Sequence, residues 1–346
     1  MLFITFHGGK APSTIRKPRN SPPSENSPTP VNNIHAYSDK GGQPLETNVL
    51  RGADEYLKDS ELRGMAFHNG DLYVINGRRD SNQILRFKGS GTEYEFKNIF
   101  ASRAEYDEHE GINSIFHPFG LTFQKKRYCY VSSQDTNVVT RLKCTHHKGK
   151  IGCAAAIPSG LPANGKFLDG TFVGCSLRQL PGLAPVTPVP LPGGLEAFKD
   201  PVLRKVHYSV RDVLVSGEFL YVCDEHANMV KVYDFDGRLR HFSNQVPRPV
   251  HLHSHKGALY LSGGDEFLAA RLDEFPLYFA TVNGIKGKNV SGVAFNSKGD
   301  NLFIANRKDD NVCCHAAKRN GVFGKKTVII GNMPDHPEFI LHVDET

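Results

Sequence analysis

The fold is decided by one stretch: Val290-Ser291-Gly292-Val293-Ala294-Phe295, a turn through Asn296-Ser297-Lys298-Gly299-Asp300, then Asn301-Leu302-Phe303-Ile304-Ala305-Asn306 and, after a polar loop, Asn311-Val312. The same pattern recurs along the chain. Gly64-Met65-Ala66-Phe67 leads to Leu72-Tyr73-Val74-Ile75-Asn76, and Gly120-Leu121-Thr122-Phe123 leads to Tyr128-Cys129-Tyr130-Val131-Ser132. Asp212-Val213-Leu214-Val215 precedes Leu220-Tyr221-Val222-Cys223-Asp224, and Val250-His251-Leu252-His253 precedes Leu259-Tyr260-Leu261-Ser262. Each copy sets β-branched and aromatic runs between Gly, Asn or Asp turns, the signature of an antiparallel meander. A sixth anchor is Phe339-Ile340-Leu341. Most anchors are spaced as four-stranded propeller blades are, at roughly 40–50 residues. The long gap between Gly120 and Asp212 holds an insertion at about 154–205, rich in prolines such as Pro185, Pro188, Pro190 and Pro192 that cannot join a ladder.

A lone blade exposes both sheet faces and its edges, so blades are stable only in a closed ring. The expectation is an all-β, six-bladed β-propeller of four-stranded antiparallel blades, with the last blade shared between the N and C termini. The chain ends point to that sharing. The last apolar run, Phe339-Ile340-Leu341, supplies one strand, while Asn33-Ile34-His35-Ala36-Tyr37 parallels Asn228-Met229-Val230-Lys231-Val232-Tyr233, a third strand elsewhere. Residues 1–32 read as a Pro/Ser-rich segment ahead of one propeller domain at 33–346. Within that segment Leu2-Phe3-Ile4-Thr5-Phe6 resembles Leu302–Asn306 and is either the missing second strand or part of a tail.

Forty-two basic against 36 acidic residues leave a formal charge of +6 scattered in short groups, unlike the concentrated stripe of a nucleic-acid binder. No run is long and apolar enough to span a bilayer or to form a signal-peptide core, so no membrane association is expected and a cytoplasmic location is favoured. Seven cysteines without a CxxC argue against a disulfide framework or zinc ribbon, although Cys144 and Cys153 could form a hairpin disulfide or a small zinc knuckle.

The lines Val290–Asn306 and Leu220–Val230 resemble the repeat shared by NHL-repeat, YncE-like and regucalcin/gluconolactonase-like propellers. That resemblance covers most of 33–343 apart from the insertion. It implies the propeller architecture and, among its members, lactonases, lyases and binding platforms. The Glu-Gly-Pro opening of the metal-dependent lactonases is not matched, since this chain offers Glu110-Gly111-Ile112 and has Ser291 where an Asp would lie. The zinc histidines of amidating lyases follow a proline, an order that His117-Pro118 and His336-Pro337 reverse.

Residues that lead into each innermost strand, and those between second and third strands, should gather at one end of the channel. The first set contains His117, Arg211, Asp212, Arg248, Ser291, His336 and Glu338; the second contains Asn76, Asp135, Asp224, Glu225, Asp265, Asn306 and Asp309. His117, Arg211, Asp212 and His336 are the candidates for catalysis, as base and anion holder. Asp212, Asp224, Asn306 and Glu338 are the candidate oxygen ligands of a divalent cation, Ca2+, Mn2+ or Zn2+. Opposed to this stands the ordinary role of Asn and Asp as turn formers bonded to nearby backbone, and for Arg211 and Asp212 a structural ion pair between blades. The His251-His253-His255 alternation is a further metal surface or a plain histidine face. With no hydrolase, nucleotide or zincin motif present, the reading is a monomeric scaffold that binds a small molecule or a protein at the channel face. The alternative is a metal-dependent hydrolase or lyase of lactonase type.

Overall fold

In the computed structural model of the chain the described residues are 1–7, 31–78, 81–102, 115, 117–125, 128–134, 138–147, 150–154, 171–174, 210–225, 228–235, 239–285, 287, 289–318 and 322–344. They form six sheets arranged in a ring, a six-bladed β-propeller. Taken outward from the channel, blade 1 is Leu62–His68, Asp71–Asn76, Gln83–Ser90 and Glu93–Ser102, with Leu50–Arg51 added in parallel outside. Blade 2 is Pro118–Gln124, Tyr128–Ser133, Val138–His147 and Lys150–Ala154, and Thr171–Gly174 also pairs with its third strand. Blade 3 is Val210–Ser216, Phe219–Asp224, Met229–Tyr233 and Leu239–Phe242. Blade 4 is Pro249–His255, Ala258–Gly263, Glu266–Arg271 and Ala280–Thr281. Blade 5 is Val290–Phe295, Asn301–Asn306, Asn311–Ala316 and Thr327–Ile330. Asp54–Leu57, a single turn, is the only helix among the described residues.

Blade 6 joins the two ends. Its innermost strand is Pro337–His342 and its second is Leu2–Phe6, followed by His35–Tyr37 and Pro44–Glu46. Leu2–Phe6 is thus a central strand, not a tail. It pairs Phe3 with Leu341 on one side and with Ala36 on the other, and the Met1 amino group donates to the Val343 carbonyl at 3.0 Å. Of the insertion expected at 154–205, only Ala154 and Thr171–Gly174 fall among the described residues.

The second strands explain why the ring holds. Strand side chains alternate faces, and here both faces are apolar and buried. Leu72 and Val74 enter the core shared with blade 6, while Tyr73 and Ile75 enter the core shared with blade 2. Blade 2 repeats this with Cys129 and Val131 backward and Tyr130 forward. Tyr221, Tyr260, Phe303 and Phe3 take the same forward place in blades 3 to 6. One aromatic ring per blade therefore fills each of the six interfaces. Hydrogen bonds between neighbouring blades add to them: Val215 N donates to Thr122 Oγ1 at 3.1 Å, Ser291 Oγ to the Pro337 carbonyl at 2.6 Å, and Thr5 Oγ1 to the Arg63 carbonyl at 3.1 Å.

Phe3 is fully buried, in the strand that closes the ring. Phe3→Ala should cost about 3–5 kcal/mol and lower the denaturant midpoint of one cooperative transition, followed by circular dichroism. Loss of blade 6 alone, in a separate early step, would contradict this coupling.

Candidate functional site

All six innermost strands begin with the same irregularity. Leu62 pairs with Asn76, yet Met65 pairs with Val74; Pro118 pairs with Ser133, yet Leu121 with Val131. Blades 3 to 6 show the same shift after Val210, Pro249, Val290 and Pro337. Two residues thus oppose one, a β-bulge that re-aims side chains at the end of the ladder. The bulged pairs are Arg63-Gly64, Phe119-Gly120, Arg211-Asp212, Val250-His251, Ser291-Gly292 and Glu338-Phe339. Hydroxyls on the second strands catch the amide that the bulge frees: Gly120 N donates to Ser132 Oγ at 2.9 Å, His251 N to Ser262 Oγ at 3.2 Å and Phe339 N to Thr5 Oγ1 at 3.2 Å. Gly120 is required by close approach, since a Cβ there would stand 2.3 Å from Asp212 Oδ1.

The residue before the bulged strand is itself held tightly. His117, Arg248 and Asn289 have φ of 48°, 43° and 54°, a left-handed conformation uncommon outside glycine. Side chains from the loops fix it, Asn82 accepting from His117 N, Asn228 from Arg248 N at 3.1 Å and Asp265 from Asn289 N at 2.7 Å. Asn76 likewise accepts from Glu61 N at 3.2 Å. The turn-forming role of Asn and Asp is therefore what is seen at Asn76 and Asp265.

At the channel mouth these devices assemble an ionic network. The buried Arg63 guanidinium bridges Glu61 and Glu338. Arg307 Nη1 lies 3.4 Å from Glu338 Oε2, while His117 Nε2 and His7 Nδ1 lie 3.6 and 3.5 Å from Glu61 Oε1. Burial alone would raise the Glu338 carboxyl, but Arg63 and Arg307 outweigh it and hold it down at about 2. Glu61 is also held at about 2, against burial, by hydrogen bonding to His117 and by the charge of Arg63. His7 is pushed down to about 4, chiefly by burial. Across the mouth Phe119 carries two guanidinium groups, Arg63 at 5.4 Å and Arg211 at 5.0 Å from its ring centre. Arg211 Nε donates to Glu225 Oε2 at 2.6 Å and its Nη1 to Gln134 Oε1, while Arg248 donates through Nη2 and Nε to Glu225 Oε1 at 2.9 and 3.1 Å.

His117, Arg211 and Glu338, singled out from sequence, belong to this network. Asp212 does not. It accepts from Val213 N and from Leu252 N, at 2.9 and 3.0 Å, and its Oδ2 stands 2.8 Å from His251 Nδ1, so it ties blade 3 to blade 4. Arg211 and Asp212 are not paired with each other. His336 Nδ1 is 2.5 Å from Asp310 Oδ1. Asp224 is sealed against Lys231 Nζ at 2.6 Å, both groups buried, and Asn306 Nδ2 donates to Asn311 at 3.0 Å. The cation set expected from Asp212, Asp224, Asn306 and Glu338 therefore does not fit. Each carboxylate among them already faces a cationic or imidazole partner, and among the described residues no three His, Cys, Asp or Glu side chains are grouped to hold a metal. His253 and His255 pack on Phe295, whereas His251 packs on Phe339. Cys144 stands opposite Cys153 in the blade 2 ladder, while Lys148-Gly149 and Asp135 lie outside the described residues.

Glu61, Arg63, His7, Phe119, Gln134 and Arg307 were not singled out in the sequence. Repeat alignment could have found Arg63, which takes the place in Leu62-Arg63-Gly64-Met65 that Arg211 takes in Val210-Arg211-Asp212-Val213.

No protein-family model matches the sequence, and no curated protein sequence matches it. Solved structures do share its fold. A candidate 6-phosphogluconolactonase of Bacteroides fragilis matches at 13% identity and a TM-score of 0.55, over 99% of this chain and 97% of its own. The periplasmic gluconolactonase PpgL of Pseudomonas aeruginosa matches at 13% identity and a TM-score of 0.50, over 91% and 95%. Among the described residues no helix is long and apolar enough to cross a membrane.

Glu338→Gln should cost about 3–5 kcal/mol at neutral pH, because it strips the buried Arg63 of a counter-charge. The sign of the pH effect follows from the lowered carboxyl: its contribution is complete above the ordinary glutamate value near 4.5 and is lost as pH falls toward about 2. Wild type and Glu338→Gln should thus converge in stability across that window. Denaturant midpoints with an unchanged gap from pH 7 to pH 2 would contradict it.

Proposed function

We propose that this propeller binds a small polar molecule at the channel mouth. The observation that carries the reading is the ring of bulges. It turns Arg63, Phe119, Arg211 and Glu338 from four different blades toward one place. The middles of the second strands are repetitive and apolar, whereas the bulge positions are chemically diverse. Buried ion pairs contribute little net stability, so a network of this size where the innermost strands begin is better explained by recognition than by folding. A small-molecule library screened by thermal shift, with hits mapped by hydrogen exchange, tests this. Protection should concentrate at 117–120, 210–212 and 248–251. Ligands that protect only the outer strands would refute it.

A second reading, lactone hydrolysis, is favoured by the contact between Glu61 and His117. An ionised glutamate 3.6 Å from the imidazole would orient it to take a proton from water attacking a ring carbonyl, and a mouth guanidinium would steady the oxyanion. The two propellers matched above bear lactonase names, which at 13% identity speak for the fold. As no ligand set for a cation is assembled among the described residues, this chemistry is written without a metal. A lactone panel followed by pH-stat decides it: turnover that falls at least about 100-fold in His117→Ala supports hydrolysis, and no turnover of any lactone leaves binding alone.

A further inference from the structure

We infer that the ligand of the mouth is an anion, its carboxylate or phosphate group held between Arg211 and Arg248. This rests on the mouth being the binding site. Glu225 is the key to the geometry, since one of its oxygens takes Arg211 and the other Arg248. A single carboxylate thus fixes two guanidinium groups side by side and neutralises only one of them. The planar fork of arginine matches oxyanions, and here each fork keeps an outer edge. Arg211 Nη2 and Arg248 Nη1 have no partner among the described residues, whereas the other nitrogens of both groups, apart from their charge, are committed to Glu225 or, at Arg211 Nη1, to Gln134.

The two arginines differ in setting, and the difference suits a ligand arriving from solvent. Arg211 is largely buried, its side chain 19% exposed and its guanidinium seated on the Phe119 ring; Arg248 is 70% exposed. The inner fork is thus rigid and poorly hydrated while the outer one is accessible. Arg248 is nevertheless not a loose surface residue, because its left-handed backbone is held by Asn228. The remainder of the network is balanced. Among the described residues Arg63 and Arg307 share Glu61 and Glu338, two charges against two, so the unmatched positive charge of the four arginines lies with the pair on Glu225.

Glu225 is on this account a positioning residue, and Arg211 and Arg248 are the binding residues. A protein anion, such as an acidic peptide, would need a broader cationic surface than these two forks provide, so a small ligand is the better fit.

The test is calorimetric titration of the full chain with glycerol 3-phosphate, inorganic phosphate, succinate and acetate, with glycerol as the neutral control. The phosphate and carboxylate arms show which oxyanion is preferred. At least one anion should bind and glycerol should not. Arg248→Gln, at an exposed position, should keep the wild-type melting temperature and weaken anion binding about ten- to a hundredfold, as loss of a charge-assisted hydrogen bond does. Arg211→Lys, which keeps the charge but not the fork, should weaken it similarly. No binding by any of the four anions, or binding that both variants leave unchanged, overturns the inference. A neutral library hit that protects 117–120 and 210–212 while no anion binds would overturn it and leave the mouth standing as a binding site.

Discussion

The aromatic side chain at the middle of each second strand is the interaction on which the molecule depends. Tyr73, Tyr130, Tyr221, Tyr260, Phe303 and Phe3 each leave their own sheet and fill the interface with the next blade, while their strand neighbours fill the interface behind. No blade owns a core. Every apolar cluster is shared, so a blade without its neighbour exposes a whole face to water, and a ring with one gap exposes two. Antiparallel sheets buried on both sides are compatible with such sharing because successive side chains point to opposite faces. The chain meets the requirement by spending its two ends on one sheet, where Leu2–Phe6 lies between Pro337–His342 and His35–Tyr37.

Closure also fixes the chemistry. The bulges at the starts of the innermost strands bring Arg63, Phe119, Arg211 and Glu338 to the mouth, and ring closure decides which of them meet. Arg63 reaches Glu338 only because blades 1 and 6 are adjacent, across 275 positions of sequence. Residues next in line serve the frame instead: Asp212, one position after Arg211, turns into the wall and bonds the next blade through Leu252 N and His251. A one-residue difference at a bulge thus separates a mouth residue from a structural tie.

This accounts for what could be read from the sequence. Strands were legible because Leu-Tyr-Val runs between Gly and Asn turns announce themselves locally, and the shared blade was legible because Asn33–Tyr37 repeats a third strand found elsewhere. Even Leu2–Phe6 was visible by its likeness to Leu302–Asn306. The site was legible only in part. His117, Arg211 and Glu338 sit where a propeller must gather them, but nothing local says that Asp224 will be sealed by Lys231, or that Asp212 faces the wall. Arg307 and His7 were hidden for a different reason, since their partners come from other blades, and Glu61, though beside Arg63, meets His117 and His7 only in the closed ring. The bulge itself leaves no mark in composition. It shows only when six registers are laid side by side.

The most direct measurement of this account is native-state hydrogen exchange in low denaturant, comparing the amides of Phe3, Ile4 and Ile340 in the shared blade with those of Tyr221 and Val222 in blade 3. If the ring is one cooperative body latched by its ends, all of these exchange through the same global opening, with equal free energies and equal denaturant dependence. Exchange of Phe3, Ile4 and Ile340 at a markedly lower free energy, through a local opening that leaves blade 3 protected, would show that the shared blade is an appendage and that the other five stand without it.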